Sequence, residues 1–104
     1  MTTIVNGTRA IHPGEVLREE FLLPMGLTAN ALAIALQVPA PRINDVARER
    51  RGVSADTALR LARYFGTSAE FWMGLQADYD LKTSARTLKA TLNRIHPRKD
   101  LQSA

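Results

Sequence analysis

Residues 42–51 of this 104-residue chain hold four guanidinium groups, on Arg42, Arg48, Arg50 and Arg51. A guanidinium is permanently charged and carries a planar fork of donors that matches phosphate oxygens and the O6 and N7 edge of guanine. In the same stretch, the amide of Asn44 could pair with an adenine edge and the carboxylate of Asp45 with a cytosine edge. These residue types point to nucleic-acid contact, provided that one rigid element presents them together.

Residues 28–46 are predicted to form two short helices joined by a tight turn, and the second of these helices is such an element. Thr28 is a good N-cap, and the alanine-rich run after it has high helix propensity. Val38 precedes Pro39, and this pushes Val38 out of the helical region and ends the first helix. Gln37 stands where many helix-turn-helix motifs have a glycine at positive φ, a conformation that strains a glutamine.

The second helix is predicted from about residue 40 to about residue 50, with Gly52 as its C-cap. Its apolar residues fall at helical spacing and should face inward: Ile43, Val46 and Ala47. Small side chains on the preceding helix, Ala33 above all, would let the two helices approach closely. This arrangement is a helix-turn-helix, whose second helix enters the major groove of DNA.

Ten residues of this unit are expected to contact DNA: Thr28, Asn30, Ala40, Pro41, Arg42, Asn44, Asp45, Arg48, Arg50 and Arg51. Arg42 is the first candidate for a base edge, and Asn44 would pair with adenine or hold a phosphate. The apolar Ala40 and Pro41 would touch a thymine methyl. Asp45 would accept from a cytosine amine or, as we favour, orient a neighbouring arginine, because a carboxylate near phosphates is otherwise unfavourable.

The remaining members of the set would position the protein on the duplex. Arg48, Arg50 and Arg51 are expected to bind backbone phosphates, which fixes the register without reading the sequence. Thr28 and Asn30 lie at the start of the first helix, where they would donate to a phosphate.

The rest of the chain carries further helix signals and no alternating apolar run typical of a strand. His12 and a following proline are typical of a helix start, and Ser54 is expected to cap a fourth helix. Residues 67–70 fit a capping box for a fifth helix, and helical spacing continues over residues 80–95. The fold class is therefore all-α, with about five helices and a C-terminal helical extension.

The core is expected around six large apolar side chains: Phe21, Leu32, Leu36, Ile43, Leu61 and Phe65. Phe71 is expected to join them. Trp72, Leu75 and Tyr79 are candidates for a dimer or partner surface, because aromatic residues are enriched at such surfaces. For Trp72 the choice between core and surface stays open.

The length suits one domain, which we divide into a flexible arm at residues 1–10, a DNA-binding domain at 11–80 and a helical extension and tail at 81–104. Cysteine is absent, the start lacks a basic and then apolar leader, and no apolar run reaches about 18 residues, which together favour a cytosolic protein. Residues 1–40 have a net charge of −1 and residues 41–104 a net charge of +5, which suits nucleic-acid contact through one face.

Three segments together carry a family resemblance: HPGE from His12, ALRLARYFGTS from Ala58 and EFWMGLQADYDL from Glu70. Over residues 11–81 the chain resembles the HigA-type antitoxins, a VapI-like branch of the xenobiotic-response-element helix-turn-helix superfamily. The resemblance implies a lambda-repressor-like five-helix domain of the bacterial cytoplasm that forms a homodimer and binds a palindromic operator. It also implies repression of the protein's own toxin–antitoxin operon and neutralisation of a small toxin that cleaves mRNA.

The residues argue against the first rival interpretation, an enzyme. The two histidines, His12 and His96, are far apart, and the chain has no nucleophile motif, metal-ligand spacing or phosphate-binding glycine loop. We therefore expect no catalytic residue, metal or cofactor. Two rivals stay open: a stand-alone regulator without a toxin partner, which the adjacent gene would decide, and an adaptor that kept the fold and lost DNA binding.

Overall fold

The structure is a computed structural model that describes residues 9–100, and this range contains five helices and no strand. We number them α1 at Pro13–Met25, α2 at Ala29–Leu36, α3 at Ala40–Ala47, α4 at Ala55–Phe65 and α5 at Ala69–Asn93. The predicted all-α, five-helix architecture is confirmed. The predicted arm at residues 1–10 lies outside the described residues except for its last two, and residues 101–104 of the predicted tail also lie outside them.

α1 begins where the sequence predicts and contains one wide turn. His12 is the N-cap, and its Nδ1 accepts a hydrogen bond from the backbone amide of Gly14 at 2.8 Å. The middle of the helix, Leu17–Leu22, is π-helical. The helix ends at Gly26, which takes the left-handed conformation at φ 60° that glycine adopts at little cost. Pro24 lies inside the last turn.

Three further helices begin with a hydroxyl cap. Thr28, Ser54 and Ser68 each accept a hydrogen bond from a backbone amide of the following first turn, at 3.0–3.3 Å. The caps at Thr28 and Ser54 are as predicted. The capping box over residues 67–70 is wrong, because Ser68 is the cap and Glu70 therefore stands one position too early to return the bond.

The core lies where all five helices meet. Of the six predicted core residues, four are buried: Leu32, Leu36, Ile43 and Leu61. Phe21 and Phe65 are partly buried and pack against each other, with ring centroids 4.6 Å apart. Other large buried apolar side chains include three from α1, one from α3 and one from α5: Val16, Leu17, Leu22, Val46 and Trp72.

The expected roles of Phe71 and Trp72 are corrected by their positions. Trp72 has no exposed surface, and its indole Nε1 donates to the Thr67 hydroxyl at 2.8 Å. Phe71 is 39% exposed, because neighbouring positions on a helix point about 100° apart. The prediction of a core Phe71 is wrong, and the choice that the sequence left open for Trp72 is decided in favour of the core. Leu75 and Tyr79 are partly buried, and their partner contacts stay a prediction.

α5 runs without a break across the predicted domain boundary at residue 80. The helix ends at Asn93, two residues before the end of the predicted helical spacing at residue 95. Every residue at positions 84–93 is exposed. The division of the chain at residue 80 stays a prediction, since one helix belongs to both parts.

Within residues 9–100 no single helix is both long and apolar enough to cross a bilayer. One bent pair, α1 with α2, meets the length and composition criteria together, with an angle of 97° between the two helices.

Candidate nucleic-acid interface

The turn between α2 and α3 has the shape that the motif requires. Gln37 adopts φ 60° and ψ 46°, so a glutamine takes the left-handed conformation that favours glycine. The backbone amide of Val38 donates to the Ala33 carbonyl at 3.0 Å and closes the end of α2. Pro39 is the extended residue before α3, and Pro41 fits the first turn, where no partner for its nitrogen is needed.

α3 is shorter than the sequence predicts. Its last helical residue is Ala47, and Glu49 turns the chain at φ 64°. The amide of Arg50 then donates to the Asp45 carbonyl at 2.8 Å, which is the closing bond of a Schellman motif. The prediction that the helix continues to Arg50 and is capped by Gly52 is wrong, because Glu49 takes the left-handed position. Arg50 therefore lies on a loop after the recognition helix.

One side of α3 packs into the core and the opposite side faces solvent. The buried side carries the three predicted residues, Ile43, Val46 and Ala47. On the other side Pro41 and Arg48 are exposed and Asp45 is partly buried between them, at spacing i, i+4 and i+7. This edge is the part of α3 that could enter a groove without rearrangement of the core.

Arg42 points sideways from α3 towards α4. Asp56 Oδ1 accepts from Arg42 Nη1 at 2.6 Å and from Arg60 Nε at 2.7 Å. The hydrogen bond from Arg60, reinforced by Arg42, holds the pKa of the Asp56 carboxyl below its ordinary value. The base contact predicted for Arg42 stays a prediction, and in the DNA-free chain this guanidinium is engaged by Asp56.

The side chains of Asn30 and Asn44, both predicted to contact DNA, are hydrogen-bonded to each other. Asn44 Nδ2 donates to Asn30 Oδ1 at 2.7 Å and to the Ala40 carbonyl at 3.0 Å, so the pair ties α3 to the start of α2. Asp45 Oδ2 lies 3.7 Å from Arg51 Nη2, and this is the contact that our favoured interpretation of Asp45 requires.

Arg48 and Arg50, the other two arginines predicted to bind phosphates, differ in their surroundings from Arg51, which lies near Asp45. The side chains of Arg48 and Arg50 have no hydrogen-bond or ion-pair partner within residues 9–100. Both are exposed, and their positive charge remains available to an external anion.

Comparison with known proteins agrees with this geometry. The sequence profile of the helix-turn-helix family matches residues 17–72. A structure of the Pseudomonas aeruginosa antitoxin HigA with the higBA promoter is 49% identical, with a TM-score of 0.83, over 89% of this chain and 100% of that chain. This chain belongs to the helix-turn-helix family, in its HigA-type branch.

Two further relatives cover most of this HigA-type chain. Virulence-associated protein I of Dichelobacter nodosus is 56% identical over 92 residues, which are 88% of this chain and 84% of that protein. A crystal structure of PA4674 from Pseudomonas aeruginosa, in complex with its 18-base-pair operator DNA, is 52% identical with a TM-score of 0.85. That match covers 89% of this chain and 99% of the other.

Two arginines that the sequence did not single out hold the helix-turn-helix in place. Arg60 Nη1 donates to the Leu36 carbonyl at the end of α2, at 2.8 Å. Arg18 Nη1 donates to the Ala47 carbonyl at the end of α3, at 2.6 Å. Cations are favourable at helix C-termini, where carbonyls lack partners. Each arginine therefore caps one helix of the motif, from 24 and 29 residues away in the sequence.

The loop after α3 and the back of α3 are fixed by two further residues of the HigA-type domain. Gln76 Oε1 on α5 accepts from the Val53 amide at 2.7 Å, which anchors the loop of residues 48–53. Gly14 lies so close to α3 that a β-carbon there would overlap the Val46 carbonyl oxygen. Gly14 belongs to the HPGE segment that carries the family resemblance, and no pattern in the sequence indicates its contact with α3.

The described part of the chain, residues 9–100, contains no cluster of three or more His, Asp or Glu side chains that could hold a metal ion. The candidate site of this HigA-type protein is thus an exposed helix edge and a basic loop, held from behind by Arg18, Arg60, Gln76 and Gly14.

Proposed function

We propose that this HigA-type protein is the antitoxin of a type II toxin–antitoxin system. It acts as a sequence-specific DNA-binding repressor of its own operon and neutralises a toxin that cleaves mRNA. The observation that carries the proposal is the exposed edge of α3 beside a basic loop, in a chain about half identical to proteins solved with operator or promoter DNA.

In the proposed complex the edge of α3 enters the major groove, with Pro41 and Arg48 towards the duplex. Arg42 exchanges Asp56 for a guanine edge, and Arg50 and Arg51 bind phosphates from the loop. The Thr28 hydroxyl already accepts from the Ala31 amide, and its own hydrogen remains available to a phosphate oxygen.

A single recognition helix reads only a few base pairs, so useful specificity calls for two copies on one operator. We infer a homodimer on a palindrome whose half-sites lie about 34–36 Å apart or a multiple of that distance. The place of action is the bacterial cytoplasm, where the operon and the toxin's mRNA targets are accessible.

A band-shift titration on the promoter tests the DNA-binding part of the proposal. Arg51→Ala should weaken binding to every duplex alike and reduce the slope of log affinity against log salt by about one. Arg42→Ala should cost about 1–3 kcal/mol at one base position and relax the preference there. Arg63→Ala is the matched control, since it removes an exposed arginine from α4, outside the proposed contact surface.

Equal losses of affinity for Arg42→Ala and Arg51→Ala on every duplex would contradict the proposed division of roles. The toxin-binding part needs a separate experiment, co-purification with the product of the adjacent gene. Repression without any such partner would favour the stand-alone regulator instead.

A further inference from the structure

Asp56 links the recognition helix to the end of α2 through two arginines. Its Oδ1 accepts from Arg42 Nη1 on α3 at 2.6 Å and from Arg60 Nε at 2.7 Å. Arg60 Nη1 in turn donates to the Leu36 carbonyl at 2.8 Å, so the Arg60 guanidinium is held by two acceptors. Arg60 therefore fixes the Asp56 carboxylate beside α3, where it is a ready partner for Arg42.

The contact between Arg42 and Asp56 lies on the surface and uses only part of the Arg42 guanidinium. The Arg42 side chain is 31% exposed and the Asp56 side chain is 55% exposed, so the contact breaks without any movement of the core. A guanidinium has five N–H donors, and the contact with Asp56 involves Nη1. An exposed ion pair of this kind changes an equilibrium constant by about two- to fivefold.

A guanine edge and the Asp56 carboxylate compete for Arg42 in the proposed complex, because each offers acceptors to the same fork of donors. On a duplex that places guanine opposite Arg42, the arginine exchanges Asp56 for the base, and the lost ion pair reduces the net gain. On a duplex with another base at that position, Arg42 keeps Asp56 and nothing is lost. The ion pair thus reduces the difference in affinity between the two duplexes.

We propose that Asp56 is a specificity-determining residue of the DNA-binding site, which lowers the discrimination for guanine by giving Arg42 a second partner. This role of Asp56 rests on the proposed function, in which Arg42 reads a guanine. A charged donor left unpaired at a mismatched base adds to the cost of the mismatch. Asp56 removes that addition, so the protein tolerates a changed base at this one position better than it would with an unpaired arginine.

Band-shift titrations of Asp56→Asn, Arg42→Ala and the double variant measure this competition. The probes are the protein's own promoter duplex and the same duplex with one base pair replaced, at the position where Arg42→Ala relaxes the preference. Asp56→Asn keeps the size of the side chain and removes its charge. We expect Asp56→Asn to raise the promoter affinity, and to enlarge the loss of affinity on the replaced base pair by about two- to fivefold.

The double variant separates this competition from the general effect of removing a negative charge near phosphates. The general effect does not need Arg42, so Asp56→Asn in the Arg42→Ala background measures it alone. We expect the gain in promoter affinity from Asp56→Asn to be about two- to fivefold smaller in that background. Asp78→Asn on α5 is the matched control, because it neutralises an exposed aspartate that pairs with Lys82 at 3.1 Å. This control should leave the affinity for both duplexes within about twofold of the wild type.

Equal gains from Asp56→Asn with and without Arg42 overturn the proposal, since they assign the whole effect to charge. A loss of promoter affinity in Asp56→Asn also overturns it, because Asp56 would then support Arg42 on the guanine instead of competing for it. In both cases the wild type still binds its promoter, and the proposed repressor stands. If the wild type binds no promoter DNA, the proposed repressor and the role of Asp56 fail together.

Discussion

The two halves of α5 belong to one unbroken helix and have opposite surroundings. Residues 69–80 supply the fully buried Trp72 and the loop anchor Gln76, whereas residues 84–93 are exposed on every side. Both halves carry apolar residues at helical spacing. The comparison shows that periodicity sets which residues share a side of a helix, while the rest of the chain decides whether that side is covered.

The largest expected difference between the halves is in stability. Trp72→Ala should lower the free energy of unfolding by about 3–5 kcal/mol, since it removes the largest fully buried side chain. Leu88→Ala should change it by less than about 0.5 kcal/mol at a protein concentration low enough to keep the chain monomeric. Urea unfolding followed by far-UV circular dichroism measures both values.

Repeating the Leu88→Ala measurement at tenfold higher concentration sharpens the comparison, because a coupled dimer makes stability depend on concentration. A loss of several kcal/mol for Leu88→Ala in the dilute monomer would show that residues 84–93 also support the core.

An intermediate effect is expected where the first half of α5 holds the loop after α3. Gln76→Ala leaves the buried Val53 amide without its acceptor and should lower stability by about 1–3 kcal/mol. It should also weaken operator binding, because the loop that carries Arg50 and Arg51 loses its anchor. Asp78→Ala is the neighbouring control on exposed surface, and its effect on both quantities should be small. Unchanged operator affinity in a folded Gln76→Ala would contradict this positioning role.

The smallest predicted effect lies where the two halves meet. There the ring of Tyr79 packs edge-on against His12, with centroids 4.9 Å apart. Burial holds the pKa of His12 below its ordinary value, and the carboxylates of Glu49 and Asp80 only partly oppose it. The neutral ring is therefore the form that folding favours, and its Nδ1 must stay unprotonated to cap α1.

The contribution of His12 to stability should be complete above its unfolded pKa of about 6.5 and should be lost as the pH falls through its lower folded value. Between pH 7.5 and 5.5 we expect a decrease of about 1 kcal/mol or less, comparable to the loss of an N-cap. His12→Asn keeps a capping acceptor that does not titrate, so its unfolding free energy should lack this slope. The same slope in both proteins would assign the pH dependence to other groups.

Local signals were enough to predict most of the fold. The caps at His12, Thr28 and Ser54 and the buried residues of α3 follow from hydrogen-bonding chemistry and spacing within a few residues. The errors came where competing local options were nearly equal. Glu49 rather than Gly52 took the left-handed position after α3, and Ser68 rather than Thr67 capped α5.

The support of the candidate site could not be predicted in the same way. Arg18, Arg60 and Gln76 act on residues 23 to 29 positions away, through contacts that exist only after the helices have packed. The sequence marked Arg42 as a base reader from its position on α3. The ion pair with Asp56 depends on where α4 lies, and no pattern near Arg42 indicates it.

The overlap that any β-carbon at Gly14 would make with the Val46 carbonyl has a consequence for how this chain can vary. Because glycine has no side chain, the backbone of α1 at position 14 can lie directly against the backbone of α3, the helix proposed to read DNA. Even an alanine at position 14 would force the two helices apart at that point, far from any base. The orientation of α3 thus depends on a contact on its buried side, opposite the edge that is proposed to contact DNA.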